Sequence, residues 1–137
     1  MSRIKICGLR RPEDIAAVNE ARPDYCGFIV EYPKSRRSID RATLRELVRG
    51  LREEIVSVGV FVNAPKELVA ELLEEGTIQI AQLHGQESQE YIQELRVLTE
   101  KPLIQAFSIK SKEDVERARE SVADYILMDQ GSGGTGK

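Results

Sequence analysis

The stretch "VSVGVFVNAPKELVAELLEEGTIQIAQL", residues 56–83, decides how the rest of the chain is read. Both of its ends are short, apolar and rich in β-branched residues, as strands are. Between them, Pro65 stands where a first-turn proline is tolerated, because the N–H it lacks would have no intrahelical partner. Gly76 stops the helix that follows, since glycine takes the left-handed conformation at a helix end without steric cost. Strand, helix and strand in so short a span make a β-α-β unit, and its crossover makes the two strands parallel.

Working outward, the same unit recurs. "RIKIC" (3–7), "YCGFIV" (25–30), "LIQAF" (103–107) and "YILM" (125–128) read as further strands. Helical stripes lie between them. Leu44, Leu47, Val48 and Leu51 fall at i, i+3, i+4 and i+7 behind Asp40 as N-cap, and Tyr91, Ile92, Leu95 and Leu98 form another stripe. Pro12 marks a helix start, and Ser111 with Asp114 three residues later resembles a capping box.

Alternating strands and helices fit either an open doubly wound sheet or a (β/α)₈ barrel. Strand starts recur about every 20 to 30 residues with no sign of a strand-order reversal, which favours the barrel. A complete barrel needs roughly 200 residues or more. The expectation is therefore an α/β chain of the TIM-type barrel class, cut to about six β-α units with the last two missing. Residues 1–137 then form one incomplete domain.

Composition narrows the partners. With 41% hydrophobic and 31% charged residues the chain is ordinary for a globular protein, and its net charge of −3 gives no reason to expect nucleic acid or an anionic membrane. No apolar run approaches the roughly 20 residues a membrane helix needs. "MSRIKICG" lacks the apolar stretch of a secretory signal. Cys7 and Cys26 form no C-x-x-C pair, and with one histidine in the chain zinc-ligand spacing is absent. Reduced thiols in the cytoplasm are the default.

In such a fold the chemistry sits where the strands end, because the loops there converge on one mouth. The strand ends carry Cys7, Asn63, His84, Ser108 and Asp129, and the longest loop is the basic "EYPKSRRSI". Asn63 and Ser108 read as turn and cap formers. Cys7 is either a small buried hydrophobe or a thiolate base; Lys5, two residues earlier, points to the same face and favours the charged form. Cys26, mid-strand beside Gly27, reads as packing. Asp129 either starts a turn or is a pocket carboxylic acid able to donate a proton. Arg36 and Arg37 are either solvated charge or a bidentate partner for a carboxylate. His84 is either structural or a substrate contact. The tail from Gly131 to Lys137 reads G-x-x-x-x-G-K, but a nucleotide loop needs Ser or Thr and a helix after that lysine, so the nucleotide reading is rejected.

"KICG", "YPKSRR", "GVFVN", "QLHG", "ILMD" and "GGTGK" occur in this order at successive strand ends, and together they resemble the phosphoribosylanthranilate isomerase family of tryptophan biosynthesis. The resemblance runs from Lys5 to Lys137. It implies an aldose–ketose isomerase that needs no metal or organic cofactor and performs an Amadori rearrangement on a small-molecule substrate, N-(5-phosphoribosyl)anthranilate. It implies Asp129 as general acid on the ring oxygen, Cys7 as general base at the sugar C2, and Arg37 rather than Arg36 on the anthranilate carboxylate. It also implies that the substrate's phosphate is bound by β-α units not found in these residues, so that the chain alone has very low activity. The alternative is a non-catalytic partial barrel that folds by pairing its open strand edges with another chain.

Overall fold

The structure, a computed structural model, describes residues 4–84 and 87–129. Its strands are β1 (Lys5–Cys7), β2 (Tyr25–Val30), β3 (Ser38–Ile39), β4 (Val56–Phe61), β5 (Ile80–Leu83), β6 (Leu103–Ser108) and β7 (Tyr125–Asp129). The helices are α1 (Pro12–Ala21), α2 (Arg41–Arg49), α3 (Lys66–Glu74), α4 (Gln89–Leu98) and α5 (Lys112–Arg119). The strands form one parallel sheet in the order β1-β2-β4-β5-β6-β7, with β3 attached to β2. Apart from β3, the order in space is the order in the chain, as a barrel requires and a doubly wound sheet does not.

One face of this sheet takes the helices. Cys26, Phe28 and Val30 of β2, Phe61 of β4, Ala81 and Leu83 of β5 and Leu103 of β6 are buried in one cluster with Leu44, Leu47, Leu72, Ile92 and Leu95 of the helices. Period-two alternation sends the residues between them to the other face. There Lys5 of β1 donates a hydrogen bond from Nζ to Oε1 of Gln82 on β5. In a flat sheet these strands would stand about 14 Å apart, three spacings of about 4.8 Å, with side chains perpendicular to the sheet. The contact closes only because the sheet curls, making this face concave. The architecture is a partial barrel.

The details correct three readings. The basic loop contains the extra two-residue strand β3, held by the β2 register Ile29–Ser38 and Val30–Ile39. Pro65 is the N-cap of α3, not its first helical residue, with extended backbone at ψ 134. Leu98 is 44% exposed, so the α4 stripe effectively ends at Leu95, while Tyr91 is half-buried against the core. Other signals hold as expected. Asp40 accepts from the Thr43 N–H at 2.8 Å, Asp114 accepts from the N–H groups of Lys110 and Ser111 at 2.8 and 3.2 Å, and Gly76 follows α3 at φ 84.

Leu44 of α2 is fully buried between helix and sheet. Leu44→Ala is expected to cost about 2–5 kcal/mol of unfolding free energy, measured by urea titration, because a core site of this kind collapses only partly.

Candidate active site

The β1–α1 turn is shaped by two glycines. At Gly8 the chain turns through φ 83, and the N–H groups of Gly8 and Leu9 both donate to the Gly27 carbonyl, at 3.0 and 3.3 Å. Cys7 is thereby left at the rim of the concave face, where it is exposed. A Cβ on Gly27 would lie 2.8 Å from Cys7 Sγ and 3.2 Å from Lys5 Cε. So Lys5 and Cys7 share the face predicted from their alternation, and both lie over a β2 position where an added side chain would displace them.

Gly8 has a second consequence. A Cβ there would lie 2.5 Å from Arg37 Cδ and 2.9 Å from Arg37 Nη1. Only glycine lets the arginine of the β2–β3 loop lie across the turn that follows Cys7. That loop is held by its own bonds: Tyr32 N–H donates to Ser38 Oγ at 2.7 Å and Arg37 N–H to Ser35 Oγ at 3.2 Å. Arg10 Nη1 donates to the Arg36 carbonyl at 3.0 Å, tying the loop to the β1–α1 turn. On the other side of the turn, the Asp14 carboxylate accepts from the N–H groups of Arg10 and Arg11, both at 3.1 Å. These bonds, the Arg10 N–H first, hold the Asp14 pKa below its usual range. Cys7, Gly8, Arg10, Asp14, Arg36 and Arg37 line one cavity of about 390 Å³. An exposed thiol and a guanidinium in one concavity can remove a proton from, and orient, a carboxylate-bearing molecule.

The electrostatics separate the two cysteines. Burial, assisted by Cys7, pushes the Cys26 thiol up to about 12, which suits its packing role. Desolvation lowers the Lys5 pKa, and the charge of Cys7 partly opposes that shift.

His84 lies elsewhere on the same rim. Its N–H donates to the Phe61 carbonyl at 2.8 Å, and its Nδ1 faces Gln82 Nε2 at 3.1 Å. With Asn63, Glu87, Gln105 and Ser108 it lines a second cavity, of about 740 Å³. Asn63, at φ 50, is in the left-handed region, and its N–H donates to the buried carboxylate of Glu87 at 2.7 Å. Ser108 pairs with Asp129 in the β6–β7 register, which places the Asp129 backbone at the same end of the sheet. The Asp129 carboxyl, like the Gly131–Lys137 motif, lies outside the described residues.

Cys7 and Arg37 are thus brought together, while His84 occupies a neighbouring cavity linked to Lys5 through Gln82. Gln82 and Glu87 were not singled out in the sequence. Gln82 was detectable, since it stands two residues before His84 in "QLH" and so shares its face. Among the described residues, no group of three or more His, Cys, Asp and Glu side chains could hold a metal ion, and no helix is long and apolar enough to cross a membrane.

The family model for N-(5'phosphoribosyl)anthranilate (PRA) isomerase matches residues 4–137. The N-(5'-phosphoribosyl)anthranilate isomerase of Caldanaerobacter subterraneus subsp. tengcongensis is 41% identical over an alignment covering 100% of this chain and 67% of that protein. The crystal structure of phosphoribosyl anthranilate isomerase from Thermus thermophilus superposes with a TM-score of 0.80 at 36% identity, covering 99% of this chain and 66% of that one. A further phosphoribosyl anthranilate isomerase, crystallised with reduced 1-(o-carboxyphenylamino)-1-deoxyribulose 5-phosphate, superposes with a TM-score of 0.80 at 34% identity, covering 94% and 65%. This chain spans about two thirds of the length of the proteins it matches.

The contrast between the thiols gives a direct check. In the native protein a chromogenic disulfide reagent should titrate one thiol rapidly, and Cys7→Ser should abolish that fast phase. Two equally fast thiols would contradict the placement.

Proposed function

This chain belongs to the N-(5'-phosphoribosyl)anthranilate isomerase family, and we propose that it carries the acid–base centre for the Amadori rearrangement of N-(5'-phosphoribosyl)anthranilate. The observation that carries this reading is the shared cavity of Cys7 and Arg37, with Gly8 allowing the guanidinium to lie beside the thiol's turn.

The chemistry needs a donor, a base and a clamp. Asp129 protonates the ribose ring oxygen, the C1–O bond breaks, and the anthranilate nitrogen's electron pair forms a C1=N iminium. That iminium acidifies the C2–H bond, so a modest base suffices. Cys7, as thiolate, takes the C2 proton, and the electrons flow through C1–C2 to nitrogen, giving an enamine that bears the C2 hydroxyl. Protonation at C1 and loss of the hydroxyl proton complete 1-(o-carboxyphenylamino)-1-deoxyribulose 5-phosphate with no net gain or loss of atoms. Arg37 holds the anthranilate carboxylate through two parallel hydrogen bonds, which fixes C2 relative to the thiol. A ligand of this type bound to the 34%-identical relative supports the assignment. The substrate's phosphate is left to the third of the relatives' length that these residues do not span.

Positioned acid–base groups each contribute about 10² to 10⁴-fold. With the remaining third of a relative supplied, Cys7→Ala and Asp129→Asn should each reduce kcat by about 10²-fold or more, with unchanged circular dichroism. Arg37→Lys should act mainly on KM, because lysine keeps the charge and loses the planar fork. Near-normal turnover in Cys7→Ala would remove the thiol from the mechanism.

A further inference from the structure

We propose that Lys5 and Gln82 are positioning residues that fix which ring nitrogen of His84 carries its proton, leaving Nε2–H as the donor that His84 offers to the cavity it lines. The contacts are a chain: Lys5 Nζ to Gln82 Oε1, then Gln82 Nε2 to His84 Nδ1 at 3.1 Å.

The direction of this chain follows from what each group can do. An ammonium has three donors and no acceptor, so only the amide oxygen of Gln82 can face Lys5. The amide nitrogen then faces His84, and an amide NH₂ only donates. Nδ1 must therefore accept, which requires it to be unprotonated and puts the ring proton on Nε2. Turning the Gln82 amide over would set NH₂ against the ammonium. Gln82 is only 4% exposed, so water could not readily repair the mismatch. The amide's orientation is thus dictated by a charge on another strand.

Lys5 is held for this task. Its stem crosses β2 over Gly27, where a Cβ would come within 3.2 Å of Cε. Lys5 is an exposed residue, but its ammonium meets the buried Gln82 amide, and the partial desolvation there lowers its pKa. The backbone of His84 is anchored independently, by its N–H to the Phe61 carbonyl. The ring is therefore set by the relay and the main chain by the sheet. Toward a substrate, the Nε2–H suits a hydroxyl or carboxylate oxygen. That last step rests on the isomerase reading; the tautomer does not.

His84 is the one histidine in the sequence, which makes the test clean. In ¹⁵N-labelled protein, at a pH where the ring is neutral, the two ring nitrogens report the tautomer by their chemical shifts. The wild type should be predominantly Nε2–H. Gln82→Glu puts an acceptor against Nδ1, so the proton should appear on Nδ1. Lys5→Met frees the amide to turn, so the two tautomers should mix. Lys5→Arg, which still only donates, should retain Nε2–H. A wild type that is predominantly Nδ1–H, or a Gln82→Glu protein that folds and keeps Nε2–H, would overturn the proposal. Should Gln82→Glu fail to fold, the Lys5 pair decides: equal tautomer ratios in Lys5→Met and Lys5→Arg would overturn it.

With the relatives' remaining third supplied, Gln82→Glu should lose about tenfold or more in turnover. Wild-type turnover in that variant, with the proton moved to Nδ1, would overturn the positioning role. An inactive wild type with the expected tautomer would instead defeat the isomerase reading and leave the relay standing.

Discussion

The hydrogen bond between Lys5 and Gln82 is the constraint on which the rest of the structure depends. It joins β1 to β5 across the concave face. Two side chains on strands three places apart meet only if the sheet bends toward itself, and that bend gathers the strand ends into one rim. Lys5 is an exposed residue, and the Gln82 amide oxygen pairs its ammonium without introducing an opposing charge. The contact also lies beside Cys7, so the group that requires the curl is next to the group proposed to do the chemistry. Apolar burial on the helical face supplies the bulk of the stability, and the twist of the parallel sheet produces the curl that this contact reports.

Two positions without side chains then make room for the site. Gly27 gives Lys5 and Cys7 space over β2, and Gly8 gives Arg37 space over the turn after β1. The carboxylate of Asp14 serves the same turn from below, where it accepts two N–H groups at the start of α1. Helix starts in this architecture lie at the same end of the sheet as the site, so a group that caps a helix also sets a functional loop. Glu87 ties two of these loops together by accepting the Asn63 N–H. Surface ion pairs such as Arg45 with Glu71 and Glu75 bridge α2 and α3 on the outside; exposed pairs of this kind contribute little to stability.

The β-α order, the parallel sheet and the placement of Cys7 beside Lys5 were legible in the sequence, because each follows from a local period or a turn residue. The strand β3 was not: two residues carry no periodic signal, and Ser38–Ile39 pair only because the loop folds back on β2. Pro65 misled by one position because a proline is compatible with both a helix's first turn and the residue before it. Among the site residues, Arg37 next to Cys7 could be anticipated from the resemblance but not from spacing, since their proximity is created by a glycine in a different loop. Gln82 shares the face of His84 by its two-residue spacing, but its partner Lys5 and the partner of Glu87 cannot be read from spacing, because the curl of the sheet and the loops bring them together.

The most direct test of this account is a nuclear Overhauser measurement on the protein between the Lys5 ε-methylene protons and the Gln82 side-chain amide. A clear cross-peak is expected, because a hydrogen bond between Nζ and Oε1 leaves these protons within a few ångströms of each other. Lys5 cross-peaks confined to its β2 neighbours Tyr25 and Gly27 would describe an open sheet, and would contradict the curl and everything placed on its rim.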